Sequence, residues 1–147
     1  MVNQRLSPES YPNAFQAQDS DGGFYWFADL APVVDIGHDS GNPVIGTRTL
    51  GVEAGTVARL AVAQVRGFQA AGVGACAKHF PGHGNTPVDS HVSLPVVSGA
   101  LDFLWQADLV PFRAAVEAGI ASVMISHVKF EALDPDYPST LSPAITT

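Results

Sequence analysis

Apolar and polar positions change rhythm several times along the chain. Residues 1–22 are polar and rich in Pro, Ser, Gln and Asp, which predicts irregular structure through about residue 23. The apolar run FYWFADLAPVVDI (24–36) follows, and its second half, LAPVVD, reads as a buried strand ending at Asp35. GHDSGNPVIGTRTLG (37–51), broken by glycines and a proline, reads as loop. Between Val52 and Ala71, Val57, Leu60, Ala61, Val65 and Phe68 recur at three- and four-residue spacing, with Glu53, Arg59 and Arg66 at other positions. That spacing predicts an amphipathic helix with Gly72 at its C-terminal cap.

A second strand is expected in GVGACAKHF (72–80), running into the loop KHFPGHGNTPVDSH (78–91). Residues 101–118 read as helix, with Leu104, Leu109, Phe112 and Val116 on one side. Pro111 lies inside that span, so the helix proper is expected to start near Leu109, and Gly119 closes it. IASVMISH (120–127) is a third apolar strand, and the tail reads as loop with the start of another helix. Apolar strands alternating with helices imply a parallel sheet of βαβ units. Each expected strand ends in a polar residue: Asp35, Lys78 with His79, and His127. In parallel α/β folds that edge carries the active site.

Composition narrows the function. The length of 147 residues suits one domain, and a net charge of −7 argues against a nucleic-acid partner, whose phosphates need a basic face. The lone Cys76 allows no disulfide within the chain and reads as a small buried residue, with a reactive thiol as the lesser alternative. No apolar run approaches the roughly 20 residues of a membrane span. MVNQRLSPES lacks the apolar core of a signal peptide, so the chain as written reads as cytoplasmic, and an export signal further upstream would change that.

The loop 78–91 gathers three histidines, a lysine and an aspartate around two glycines and two prolines. His79 and His83 are four apart, but Phe-Pro-Gly between them prevents the helix that would align them, and the spacing matches no zinc signature. Ser90 has no strand-to-helix elbow, and the glycines form neither a dinucleotide fingerprint nor a phosphate loop. Acid/base chemistry fits better. In Asp89-Ser90-His91 the carboxylate is close enough to fix the imidazole tautomer and raise its basicity. The bland alternative is a loop held together by Asx and histidine hydrogen bonds.

K-H-F-P-G-H-G-N-T followed by D-S-H-x-x-L-P resembles the signature of family-3 glycoside hydrolases of the bacterial β-N-acetylhexosaminidase type. APVVDI (31–36), NPVIGTRTLG (42–51), DLVPFRAAVEAG (108–119) and SVMISHV (122–128) agree in order and spacing. The resemblance implies part of an N-terminal (β/α)8 TIM-type barrel over residues 1–147, with about three parallel strands and their intervening helices. It further implies a retaining enzyme that needs no metal or cofactor, acts on a carbohydrate and passes through a covalent glycosyl-enzyme intermediate. His91 would be the general acid/base and Asp89 its dyad partner, in place of the usual carboxylate acid. Lys78 and His79 would bond sugar hydroxyls. Arg48 would also reach the sugar, or else brace its own loop. VNQRL (2–6) is similar to the tail of a family segment whose arginine contacts substrate, which would give Arg5 that role; a solvated arginine is the competing reading.

The departures bear on activity. The family carries its carboxylate nucleophile in an S-D-D-L-type motif on a later strand, and this chain has no Ser-Asp-Asp. Asp134 and Asp136, in ALDPDYP, do not match it. The resemblance therefore predicts a β-N-acetylhexosaminidase fragment releasing terminal N-acetylglucosamine from muropeptide or chitin-type glycans in its complete form, and inactive as written. Alternatives are a non-catalytic sugar-binding or assembly fragment and a β-glucosidase of the same superfamily. Open sheet edges predict marginal stability, self-association or pairing with a missing barrel half.

Overall fold

The computed structural model of the chain describes residues 15–18, 24–27, 31–38 and 41–147. Strands β1 (Phe15–Gln18) and β2 (Phe24–Phe27) pair antiparallel. At Phe15–Gln18 this differs from the expectation of irregular structure, a phenylalanine-led segment having strand propensity. Arg5 lies outside the described residues.

The functional scaffold is a small parallel layer. Strand β3 (Cys76–Phe80) pairs parallel with β5 (Ser122–Ile125) on one side. On its other side it meets the extended segment 31–36, through Val34 N–H on the Lys78 carbonyl (3.0 Å) and Lys78 N–H on the Pro32 carbonyl (3.1 Å). The three expected strands thus lie side by side in a parallel arrangement, each shorter than its apolar run. A two-residue pair, β4 (Val96–Val97) with β6 (Lys129–Phe130), was not legible in the pattern and closes the segment after the loop.

Helix α1 (Ala54–Ala70) begins where Glu53 caps it, accepting from Gly55 N–H (2.8 Å) and Thr56 N–H (2.6 Å). It ends at Gly72, whose φ of +80° is the left-handed turn that favours glycine. The expected helix over 101–118 is two helices, α2 (Leu101–Gln106) and α3 (Leu109–Glu117). Pro111 falls in the first turn of α3, where a backbone N–H has no partner within the helix, so the start near Leu109 is as the sequence predicts. A short α4 (Pro143–Thr146) ends the chain.

α1 and α3 pack over the strands. Val34, Ala61, Val65, Ala75, Ala77, Phe112 and Ala115 form one buried cluster, with Phe80 edge-on to Phe112 at 5.3 Å. Burying each larger apolar side chain contributes about 1.5–3 kcal/mol. Cys76 is buried and free. Leu60 and Val116, expected on the inner faces, are 43% and 60% exposed. The buried stripe of α1 runs through Val57, Ala58, Ala61 and Val65, one position beside Leu60. Val116 instead edges an open apolar groove of about 460 Å³ beside β5, shared with Trp105, Phe112, Val123 and Ile125. Among the described residues β5 pairs with no strand but β3. No helix among them is long and apolar enough to cross a membrane.

Candidate active site

The site grows from one buried carboxylate. Asp35, at the end of the first parallel segment, is 1% exposed and accepts three hydrogen bonds from the neighbouring strand end. His79 gives two of them, from its backbone N–H (3.0 Å) and its Nδ1 (2.8 Å), and His83 N–H gives the third at 2.6 Å. A carboxylate can only accept there, so the Nδ1 of His79 carries a proton and its Nε2 is left for a ligand. β3 bulges between Lys78 and Phe80, so His79 drops out of the pairing with β5 and is re-aimed toward Asp35. The peptide bonds Lys78–His79 and Phe80–Pro81 are both cis. Lys78 stands half-buried on the same strand end, and its ammonium has no partner among the described residues.

His83 is the second organising residue. Its ring is buried between Thr86 and Ser90, with Thr86 Oγ1 at 2.9 Å from Nδ1 and Ser90 Oγ at 2.9 Å from Nε2. Burial pushes its pKa below the usual 6.5, which keeps the imidazole neutral near neutrality. The buried Asn42 then joins two loops. Its amide N–H groups reach the carbonyls of His83 and Thr86 at 2.8 Å each, while its Oδ1 accepts from Val44 N–H (2.9 Å) and Ile45 N–H (2.7 Å). Gly84 is required by contact: a Cβ at that position would sit 1.7 Å from the Ile36 carbonyl oxygen.

Beyond this buried network the loop turns outward. Asp89 Oδ1 accepts from His91 N–H (2.8 Å) and from His91 Nδ1 (2.7 Å). Those two bonds hold the Asp89 carboxyl below its ordinary range, the backbone bond contributing most. The dyad is solvated: the His91 side chain is 80% exposed and that of Asp89 35%. With Nδ1 on the carboxylate, Nε2 of His91 is free to give and take a proton.

The structure therefore joins His79 to the loop of Asp89 and His91 through Asp35, His83 and Ser90. Arg48 is not drawn in. It is exposed, and its guanidinium donates to the Val44 carbonyl from Nε at 3.0 Å and from a second nitrogen. His127, the third strand-end residue, bonds Thr140 Oγ1 at 2.7 Å. Asp35, His83, Asn42 and Ser90 carried no assigned role in the sequence. The one available signal was Asp35 at a strand end beside two histidine-bearing loops. Among the described residues no group of three or more His, Cys, Asp or Glu side chains could hold a metal ion.

The family model described as glycosyl hydrolase family 3 N terminal domain matches residues 23–147. The chain belongs to that family. It is 44% identical over 114 residues to a β-hexosaminidase of Stenotrophomonas maltophilia, covering 78% of this chain and 33% of that protein. Among solved structures, a family 3 β-N-acetylglucosaminidase from Paenibacillus superposes with a TM-score of 0.77 at 51% identity, covering 78% of this chain and 22% of that one. NagZ from Neisseria gonorrhoeae, solved with N-trifluoroacetyl-D-glucosamine, gives 0.70 at 43% identity, covering 76% of this chain and 32% of its own. The chain thus spans about a third of the β-hexosaminidase it matches and carries a partial α/β portion of the fold.

Proposed function

We propose that these residues supply the acid/base dyad and part of the sugar site of a retaining β-N-acetylhexosaminidase. The observation that carries the reading is the Asp89–His91 pair, oriented through Nδ1 on a loop that buried bonds tie to the strand end bearing Lys78 and His79. His91 Nε2 would protonate the leaving oxygen while the bond from the anomeric carbon to that oxygen breaks and a carboxylate bonds to the same carbon. The neutral imidazole would then take a proton from water as water displaces the carboxylate. Asp89 would stabilise the imidazolium that enters the first step and is re-formed in the second. Lys78 and His79 Nε2 would bond sugar hydroxyls, and the same role is proposed for Arg48, once freed from Val44, and for Arg5.

The nucleophile is not supplied by any Ser-Asp-Asp motif in these 147 residues. The substrate is a glycan ending in β-linked N-acetylglucosamine, of muropeptide or chitin type. The apolar groove beside β5 is proposed to receive the further strand–helix units of a barrel, because the matched residues make up only 33% of the β-hexosaminidase's length.

The test pairs binding with turnover. The chain should bind N-acetylglucosamine in preference to glucose, lose that affinity with Lys78→Ala, and leave an aryl N-acetylglucosaminide intact. Joined to a nucleophile-bearing barrel remainder it should hydrolyse that substrate, and His91→Ala should lower turnover. Equal binding of glucose would overturn the proposed specificity. Hydrolysis by the chain alone, abolished by His91→Ala, would overturn the need for an added nucleophile.

A further inference from the structure

Residues 87–94 are mostly exposed, and their backbone bonds turn inward on themselves: Val92 N–H and Ser93 N–H both reach the Asp89 carbonyl, at 3.0 and 3.1 Å. Among the described residues, one hydrogen bond leaves this segment, from the Ser90 hydroxyl to His83 Nε2 at 2.9 Å. Its far end is well anchored. His83 is 2% exposed, its N–H is on Asp35 at 2.6 Å, and its carbonyl accepts from Asn42 Nδ2 at 2.8 Å.

The proton positions follow from Thr86. Its hydroxyl donates to the His83 carbonyl at 3.0 Å, so its oxygen accepts from His83 Nδ1–H at 2.9 Å. Nε2 is then the lone-pair nitrogen, and Ser90 is the donor. Serine in the middle of D-S-H therefore has a task distinct from that of its neighbours.

We propose that Ser90 is a positioning residue for the Asp89–His91 dyad, its hydroxyl latching the dyad segment to the buried His83 imidazole. The same carboxylate, Asp35, then sets both His79 directly and the dyad by way of His83 and Ser90. The sugar-binding histidine and the acid/base histidine share one reference point. The catalytic meaning of the latch rests on the function proposed above; its existence does not.

The test is nuclear magnetic resonance and amide exchange on the isotopically labelled chain. His83 should show a protonated Nδ1 and an unprotonated Nε2 in its nitrogen shifts. Ser90→Ala should move the Nε2 resonance and raise amide exchange across residues 88–92 by about tenfold, the loss of one net hydrogen bond. Ser90→Thr, which keeps a hydroxyl, should restore both. Exchange at Ala77 and Val34, in the core, should stay unchanged and so exclude general unfolding. Unaltered exchange and an unaltered Nε2 shift in Ser90→Ala would overturn the latch, as would a protonated Nε2 in the native chain. A failed acid/base assignment would show separately, as turnover insensitive to His91→Ala with the exchange result intact.

Discussion

Two histidine–aspartate pairs lie on one connected loop system and have nearly the same geometry. His79 Nδ1 meets Asp35 at 2.8 Å and His91 Nδ1 meets Asp89 at 2.7 Å. Their surroundings are opposite. Asp35 is shut away from solvent and gives its remaining capacity to two backbone N–H groups, whereas the His91 ring stands 80% exposed. An aspartate beneath a buried strand end serves as a fixture, because three donors would be stranded without it. The same pair in solvent fixes little beyond its own tautomer, and leaves its ring open to solvent, as the proposed acid/base role requires. The difference teaches that the motif alone does not assign the role; the number of outside donors on the carboxylate does.

The sharpest way to break this contrast is to disturb the floor under the buried pair. Gly84→Ala would place a methyl 1.7 Å from the Ile36 carbonyl oxygen, one residue past Asp35, and backbone cannot move aside as a side-chain tip would. The expected cost is about 3 kcal/mol or more, read as a lower urea midpoint. A Gly84→Ala protein as stable as the parent would mean that the 78–86 loop is not held as described. Asp35→Ala comes next. It strands buried donors of His79 and His83, at about 1–3 kcal/mol each before relaxation. Sugar affinity should fall with stability, because His79 Nε2 loses its orientation.

The contrast also marks what the sequence disclosed. The strand–helix alternation was legible because Val57, Ala61 and Val65 keep a helical period and the strands are short apolar runs bounded by glycine. The break between α2 and α3 was half legible, through Pro111. The Asp89–His91 contact was readable because it spans two residues. The partnership of Asp35 with His79 spans 44 residues, and no local pattern encodes it. Leu60 and Val116 failed for a related reason: helical periodicity selects a face, while the packed neighbours decide how wide the buried stripe is. Strand β1 (Phe15–Gln18) was hidden under the polar composition of the first residues.

pH separates the two regions more gently. Burial lowers the pKa of His83 below 6.5, so the folded chain resists taking up a proton that the unfolded chain accepts. Its contribution is fully present above pH 6.5 and declines as pH falls from there toward the folded value. Asp89 is held below 3.8 by His91, so its contribution is present above that value and disappears as pH falls through its folded value. Urea midpoints measured from pH 3 to 8 should therefore show the buried region weakening at higher pH than the exposed dyad. His83→Gln, which cannot titrate, should flatten the upper part of the profile, and Asp89→Asn the lower part alone. An unchanged upper slope in His83→Gln would remove His83 as its source.

The smallest structural effect is expected at the residue proposed as the acid/base. His91→Ala deletes a side chain whose described bond is to Asp89, itself partly exposed, so the urea midpoint should stay where it is. N-acetylglucosamine affinity should also hold, since Lys78 and His79 lie on the other side of the network. In a nucleophile-bearing form of the barrel, turnover should still fall by about 10²–10⁴, the usual range for a lost general acid/base. The loss should be least for substrates whose leaving group departs without a proton, because the first step then no longer needs Nε2. A midpoint that drops with His91→Ala would make the exposed pair structural after all. It would then differ from Asp35 and His79 in exposure but not in kind.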